Sequence, residues 1–164
     1  SHDISMVLRW LDADPLRVTA LGGAWTKGSA SATDAPRSDA VFATLTYPNE
    51  VLVTLHVSWL NPGKVRDVTL VGDKALVSFD DTRAQDPIRV YRKSAPDACT
   101  RELDLHVPTL PDDEPLRAQC ERFISAIHSG RSPLSDGSFG ARVVRVIEAI
   151  EASIVRGGEP LTIA

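Results

Sequence analysis

The chain has 164 residues and a mass of 17.7 kDa, with 43% hydrophobic and 24% charged residues. This ordinary globular balance excludes disordered, collagen-like and coiled-coil readings, and a chain of this length can remove roughly two-thirds of its unfolded surface from water without disulfides or metals. A formal charge of −4 and an isoelectric point near 5.5 argue against a nucleic-acid partner, and the lack of any run of about 18 apolar residues argues against a membrane span.

Ile4, Val7, Leu8 and Leu11 recur at helical spacing, so the chain opens within a helix. Asp14-Pro15 stops that helix, because the residue before proline avoids the helical region. A chain that opens within an element is expected to be a piece of something longer. Extended segments follow over Leu16–Trp25, Ala40–Tyr47 and Val51–Leu60, with a Ser/Ala/Thr/Pro loop over Lys27–Ser38. Val41, Ala43, Leu45 and Tyr47 share one face, and Val51, Val53, Leu55, Val57 and Trp59 share another. The two runs are joined by Pro48-Asn49-Glu50 and read as an antiparallel hairpin. A second hairpin is expected from Val65–Val71 and Ala75–Asp80, entered through Asn61-Pro62-Gly63-Lys64 and turned at Gly72-Asp73-Lys74. Ile88–Arg92 and Glu102–Val107 are further strands, separated by the polar loop Lys93–Arg101.

The C-terminal part turns helical. Pro115 suits a first turn, with Leu116, Cys120, Phe123, Ile124 and Ile127 forming an apolar face and Gly130 a stop. Ser138 is the expected cap of a longer helix carrying Phe139, Val143, Val146, Ile147, Ile150 and Ile154, and 159–164 is expected to add one short strand. The order predicts an α+β fold: an open, mainly antiparallel β-sheet with helices packed on one face, forming a single domain over residues 1–164. The opposite face, with Thr44, Thr54, His56 and Ser58, is left for solvent or a second subunit.

Cys99 and Cys120 form neither a CxxC nor a disulfide framework, a usage that suits a cytoplasmic protein. His2, His56, His106 and His128 show no metal-ligand spacing. Gly22-Gly23 lies in a strand pattern without a GxGxxG loop, and no P-loop, zincin or GxSxG motif is present. His2 stands in the first helical turn, where the macrodipole favours the uncharged ring that can accept or relay a proton near pH 7; capping, or a residual tag sequence, is the bland alternative. Trp59, Lys64 and Arg66 flank one turn, either as a solvated basic tip or as groups recognising a sugar or phosphate.

The opening His2-Asp3-Ile4-Ser5…Trp10-Leu11 resembles the helix that begins the C-terminal domain of the Gfo/Idh/MocA family of NAD(P)-dependent oxidoreductases. The similarity continues through 58–66, Val71-Gly72-Asp73-Lys74-Ala75, Asp80-Asp81, Glu114-Pro115-Leu116, Asp136-Gly137 and Val146-Ile147-Glu148-Ala149. The 58–66 stretch is similar to members acting on nucleotide-linked sugars. The resemblance implies a substrate-binding and oligomerisation domain whose N-terminal Rossmann partner holds NAD or NADP, with no cofactor site in this chain. It implies that His2 takes the family histidine's catalytic role beside the substrate hydroxyl; Trp59, Lys64 and Arg66 are expected to contact the anionic part of the substrate, or else a neighbouring subunit. It also implies a homo-oligomer through the open sheet face, and an isolated chain that is inactive. Asn49-Glu50 departs from the Asn-Gly common in the family. The alternative is a self-standing, non-catalytic dimerisation or ligand-binding module.

Overall fold

The computed structural model describes residues 1–26, 38–93, 103–111 and 114–163. The loop expected over Lys27–Ser38 lies almost entirely outside these residues, as do most of the Lys93–Arg101 loop and Cys99. The elements run α1 (His2–Leu11), β1 (Arg17–Gly23), β2 (Ala40–Thr46), a 3-10 turn (Pro48–Glu50), β3 (Leu52–Ser58), β4 (Asp67–Val71), β5 (Ala75–Asp80), β6 (Ile88–Lys93), β7 (Leu103–His106), α2 (Pro115–Ser129), α3 (Gly137–Val155) and β8 (Leu161–Thr162). The fold is α+β and every described strand pair is antiparallel. The strands divide between two four-stranded sheets, ordered β3-β2-β1-β8 and β4-β5-β6-β7. The expected single sheet is thus two, with no ladder joining β3 to β4. The chain forms two compact units, Ser1–Leu60 with Gln119–Ala164, and Asn61–Ala118.

The first unit holds the core. Alternation in β1 and β2 sends Val18, Ala20, Ala43, Leu45 and Tyr47 to one side, where Ile4, Val7 and Leu8 of α1 and Val143, Val146 and Ile150 of α3 cover them. Leu8, Val18 and Leu45 are fully shielded, each burial contributing about 1.5–3 kcal/mol. The helix–sheet approach is close at Gly22, where a Cβ would stand 3.0 Å from Ile154 Cδ1 and from the Ala40 carbonyl oxygen. That glycine therefore serves packing.

Boundaries differ from expectation where local chemistry intervenes. α1 ends at Leu11 because Asp12 adopts the left-handed conformation (φ 46°, ψ 36°), which aspartate tolerates better than most residues. The cap of α3 is Asp136 and not Ser138: its Oδ1 accepts from the Phe139 N–H at 2.9 Å and from the Ser138 hydroxyl at 2.7 Å. Gly130 ends α2 with φ 64°. The apolar stripe of α2 is present as expected but uncovered among the described residues, with Leu116, Phe123 and Ile127 each over 60% exposed.

The second unit contains β4 to β7 as a meander, and none of its described side chains is in the buried core. Opposed residues in its register share a face. Asp67, Thr69, Ser78, Asp80, Arg89 and Tyr91 thus lie on one face, and Val68, Leu70, Val77, Phe79, Ile88 and Val90 on the other.

Candidate functional site

His2 is the first residue of α1. The amphipathic pattern of α1 locks Ile4, Val7 and Leu8 into the core, which fixes the helix and presents the exposed imidazole at its N-terminal end. Ser1 supplies no side-chain cap, and the Ser5 hydroxyl donates to the His2 carbonyl at 2.7 Å, closing the first turn. Trp10 projects from the uncovered side of the helix at 44% exposure.

Trp59 follows β3 and is 88% exposed. Its backbone is anchored: the Trp59 N–H donates to the Asp39 carbonyl at 2.8 Å. Asp39 is itself buried, and its Oδ2 accepts from the N–H groups of Trp25 and Thr26 at 2.7 Å. One carboxylate-bearing residue thereby holds the backbone under two exposed indoles, Trp25 and Trp59. Sequence reasoning passed over Asp39. The available signal was an aspartate between a Ser/Thr/Pro loop and a strand, a position where Asp binds nearby backbone N–H groups.

Lys64 and Arg66, in the second unit, precede β4. Their side chains converge on Asp81 Oδ2, with Lys64 Nζ and Arg66 Nη1 each at 3.3 Å. Asp81, which the sequence marked only as part of the Asp80-Asp81 pair, gathers both predicted cations. All three side chains are solvent-accessible, so the cluster contributes little stability and either cation can exchange Asp81 for an anionic ligand. Neighbouring Asp80 closes a turn: its Oδ1 accepts from the Thr82 hydroxyl at 2.6 Å and from the Thr82 N–H at 2.9 Å. These bonds, with Arg83 adding a smaller electrostatic contribution, hold the Asp80 carboxyl below its ordinary pKa. The structure therefore brings Lys64 and Arg66 together, while His2 and Trp59 belong to the other unit.

The described residues contain no parallel βαβ unit, and Gly22-Gly23 pairs with Val41 and Ala40 at the end of β1. Among the described residues no group of three His, Cys, Asp or Glu side chains could hold a metal ion, and no helix is long and apolar enough to cross a membrane.

The open face of the first sheet is set by the register. Arg17, Thr46 and Leu52 form one row, Thr19, Thr44 and Thr54 the next, and Leu21, Phe42 and His56 a third. The Phe42 and His56 rings stack with centroids 4.4 Å apart and planes 9° from parallel. Leu21, Phe42 and Leu52 are more than half exposed.

Residues 1–78 match the family model described as the GFO/IDH/MocA C-terminal domain. No curated protein sequence is significantly similar to the chain. Among solved structures, the chain is similar to UDP-N-acetylglucosamine 3-dehydrogenase GnnA from Acidithiobacillus ferrooxidans, at 23% identity over 93% of this chain and 44% of that one, with a TM-score of 0.73. It is also similar to the aldose-aldose oxidoreductase from Caulobacter crescentus complexed with glycerol, at 18% identity over 98% of this chain and 45% of that one, with a TM-score of 0.72. A third is the WlbA dehydrogenase from Bordetella pertussis in complex with NADH and UDP-GlcNAcA, at 16% identity over 99% of this chain and 44% of that one, with a TM-score of 0.71. These likenesses establish a shared fold. The chain spans less than half the length of the solved structures it matches.

Proposed function

We propose that this chain, whose residues 1–78 belong to the GFO/IDH/MocA C-terminal domain family, is the substrate-binding and oligomerisation domain of an NAD(P)-dependent sugar or nucleotide-sugar dehydrogenase. The observation that carries the reading is the matched opening helix: its buried Ile4, Val7 and Leu8 hold His2 exposed at the leading end. In this role the nicotinamide nucleotide is bound by a Rossmann domain outside these 164 residues and accepts the hydride. His2 takes the proton of the substrate hydroxyl, and Trp59, Lys64 and Arg66 bind the sugar and its anionic part. The two compact units are read together as one domain, supported by structural matches that span 93–99% of the chain.

The test is reduction of NAD and NADP at 340 nm by the full-length protein carrying this chain, across free and UDP-linked sugars. His2→Ala is expected to lower kcat by about 10²–10⁴-fold, the usual contribution of a general base, and Arg66→Ala to raise KM. Unchanged turnover in His2→Ala would remove the histidine from catalysis. Absence of turnover on every sugar with either cofactor would favour a non-catalytic module, and turnover by the 164-residue chain alone would refute the division of labour.

The open face of the first sheet is assigned to a second copy of the chain. Arg17 is the sole formally charged side chain on its strand rows, so an isologous contact brings few like charges together. Phe42→Asp at the centre of the face is expected to yield monomer in light scattering where the wild type is at least a dimer; a monomeric wild type at micromolar concentration would overturn the assignment.

A further inference from the structure

The open face of the first sheet carries one imidazole on its rows. His56 on β3 is paired with Phe42 on β2, and Phe42 with Leu21 on β1, so the three form a row across the sheet. The His56 and Phe42 rings stack at 4.4 Å, and both side chains are exposed. The flanking rows hold Thr19, Thr44 and Thr54 on one side and Gly23, Ala40 and Ser58 on the other. Arg17, two rows from His56, is the sole formally charged side chain on these rows, and it is a cation. The strands β1, β2, β3 and β8 contain no Asp or Glu at all. Helices α1 and α3 pack on the opposite face.

That composition fixes what a contact through this face tolerates. In an isologous pairing the facing surface is the same surface, so a second copy brings no carboxylate from these strands either. A neutral imidazole suits such a contact, because its one donor and one acceptor match the hydroxyl chemistry of the threonines in the next row. An imidazolium does not. Each contact would take in two added positive charges beside two arginines, stripped of water and without a counter-charge. Attraction of the imidazolium to the Phe42 ring does not offset this, because that stack forms within a single chain and is the same before and after association. We propose that His56 makes self-association through this face pH-dependent: copies join while the imidazole is neutral and separate as it takes up a proton. The inference rests on the assignment of the open face to a second copy. Its sign follows from linkage. The associated form binds fewer protons than the free chains, so association strengthens as pH rises through the range of about 5 to 8 in which histidine ordinarily titrates, and weakens as pH falls through it.

The experiment is sedimentation equilibrium of the 164-residue chain at pH 8 and pH 5.5, with far-UV circular dichroism reporting the fold at both. The dimer Kd is expected to rise roughly tenfold or more on acidification, with a limit of about a hundredfold per pH unit because two imidazoles titrate per dimer. His56→Gln keeps a neutral polar side chain and is expected to hold Kd within about threefold between the two pH values. His56→Lys is expected to weaken association at pH 8 by about tenfold or more, and it supplies the test at a single pH should wild type lose its fold at pH 5.5. Equal wild-type Kd values at both pH values, or undiminished association of His56→Lys, would overturn the pH role and leave the face assignment standing. A pH-dependent Kd that persists in His56→Gln would place the titration on another group and overturn the proposal as well. A wild type that is monomeric at pH 8 would overturn the assignment of the face itself.

Discussion

The Ser153 hydroxyl accepts a 2.9 Å hydrogen bond from the backbone N–H of Ala20, 133 residues away, and donates one of 2.8 Å to the Glu159 carbonyl. β8 pairs with β1 only at Arg17 and Val18, so the Ala20 N–H lies beyond the end of that ladder. Ser153, fully buried on α3, takes the place of the missing strand and joins helix, sheet edge and the segment that leads into β8. Ser153→Ala leaves the Ala20 donor shielded and unpaired and is expected to destabilise the first unit by about 1–3 kcal/mol. Urea denaturation checks this as a lower midpoint at unchanged slope; a midpoint equal to wild type would show the bond to be dispensable.

Tyr47 presents the opposite case. Its ring is in the core, and its hydroxyl is shielded without a hydrogen-bond partner among the described residues. Burial first, and the nearby Asp14 charge second, push its pKa up to about 12, against a smaller opposing effect of Arg142. The neutral form is favoured in the folded state, so this contribution is intact below pH 10 and declines as pH rises from 10 towards 12. Tyr47→Phe is expected to be neutral or stabilising at pH 7 and to flatten the alkaline loss measured by thermal melts between pH 9 and 12.

The hairpin turn between β2 and β3 carries a local conflict. Asn49 and Glu50 both have positive φ, 57° and 61°, and Tyr47 N–H donates to the Val51 carbonyl across them. Such a turn prefers Asn-Gly, and Glu50 is held where only glycine is free of steric cost. Glu50→Gly is expected to raise stability by about 0.5–1 kcal/mol, read as a higher melting temperature. An unchanged or lower melting temperature would show that the turn's strain is relieved in another way.

Acid stability follows from two capping carboxylates. The hydrogen bond from Ser138 first, and that from the Phe139 N–H second, hold the Asp136 carboxyl below its ordinary pKa; Thr82 does the same for Asp80. Both pKa values are depressed in the folded state, so their contribution is complete above the ordinary aspartate range and is lost as pH falls through the folded values. Asp136→Ala is expected to lower the melting temperature at pH 7 and to have a smaller effect at pH 2, where wild type has already lost the charged cap. An equal loss at both pH values would exclude the carboxylate as the cause.

Local patterns made the α+β order readable. The 3.6-residue stripes of α1, α2 and α3 and the period-2 runs of β2, β3 and β5 follow from which side chains must share a face. His2, Trp59, Lys64 and Arg66 were also nameable from the residues and their resemblance. The convergence of Lys64 and Arg66 on Asp81 was not, because a shared ion-pair partner depends on how a 15-residue excursion folds back.

By itself the sequence determined the element types, the buried faces of α1, β2 and α3 and the turn at Pro48-Asn49-Glu50, since each is encoded within a few consecutive residues. Only the tertiary structure decided that the strands divide into two sheets and that Ser153 completes the edge of β1. Those features join residues distant along the chain, and a hydrogen-bond partner supplied from far away leaves no periodic trace.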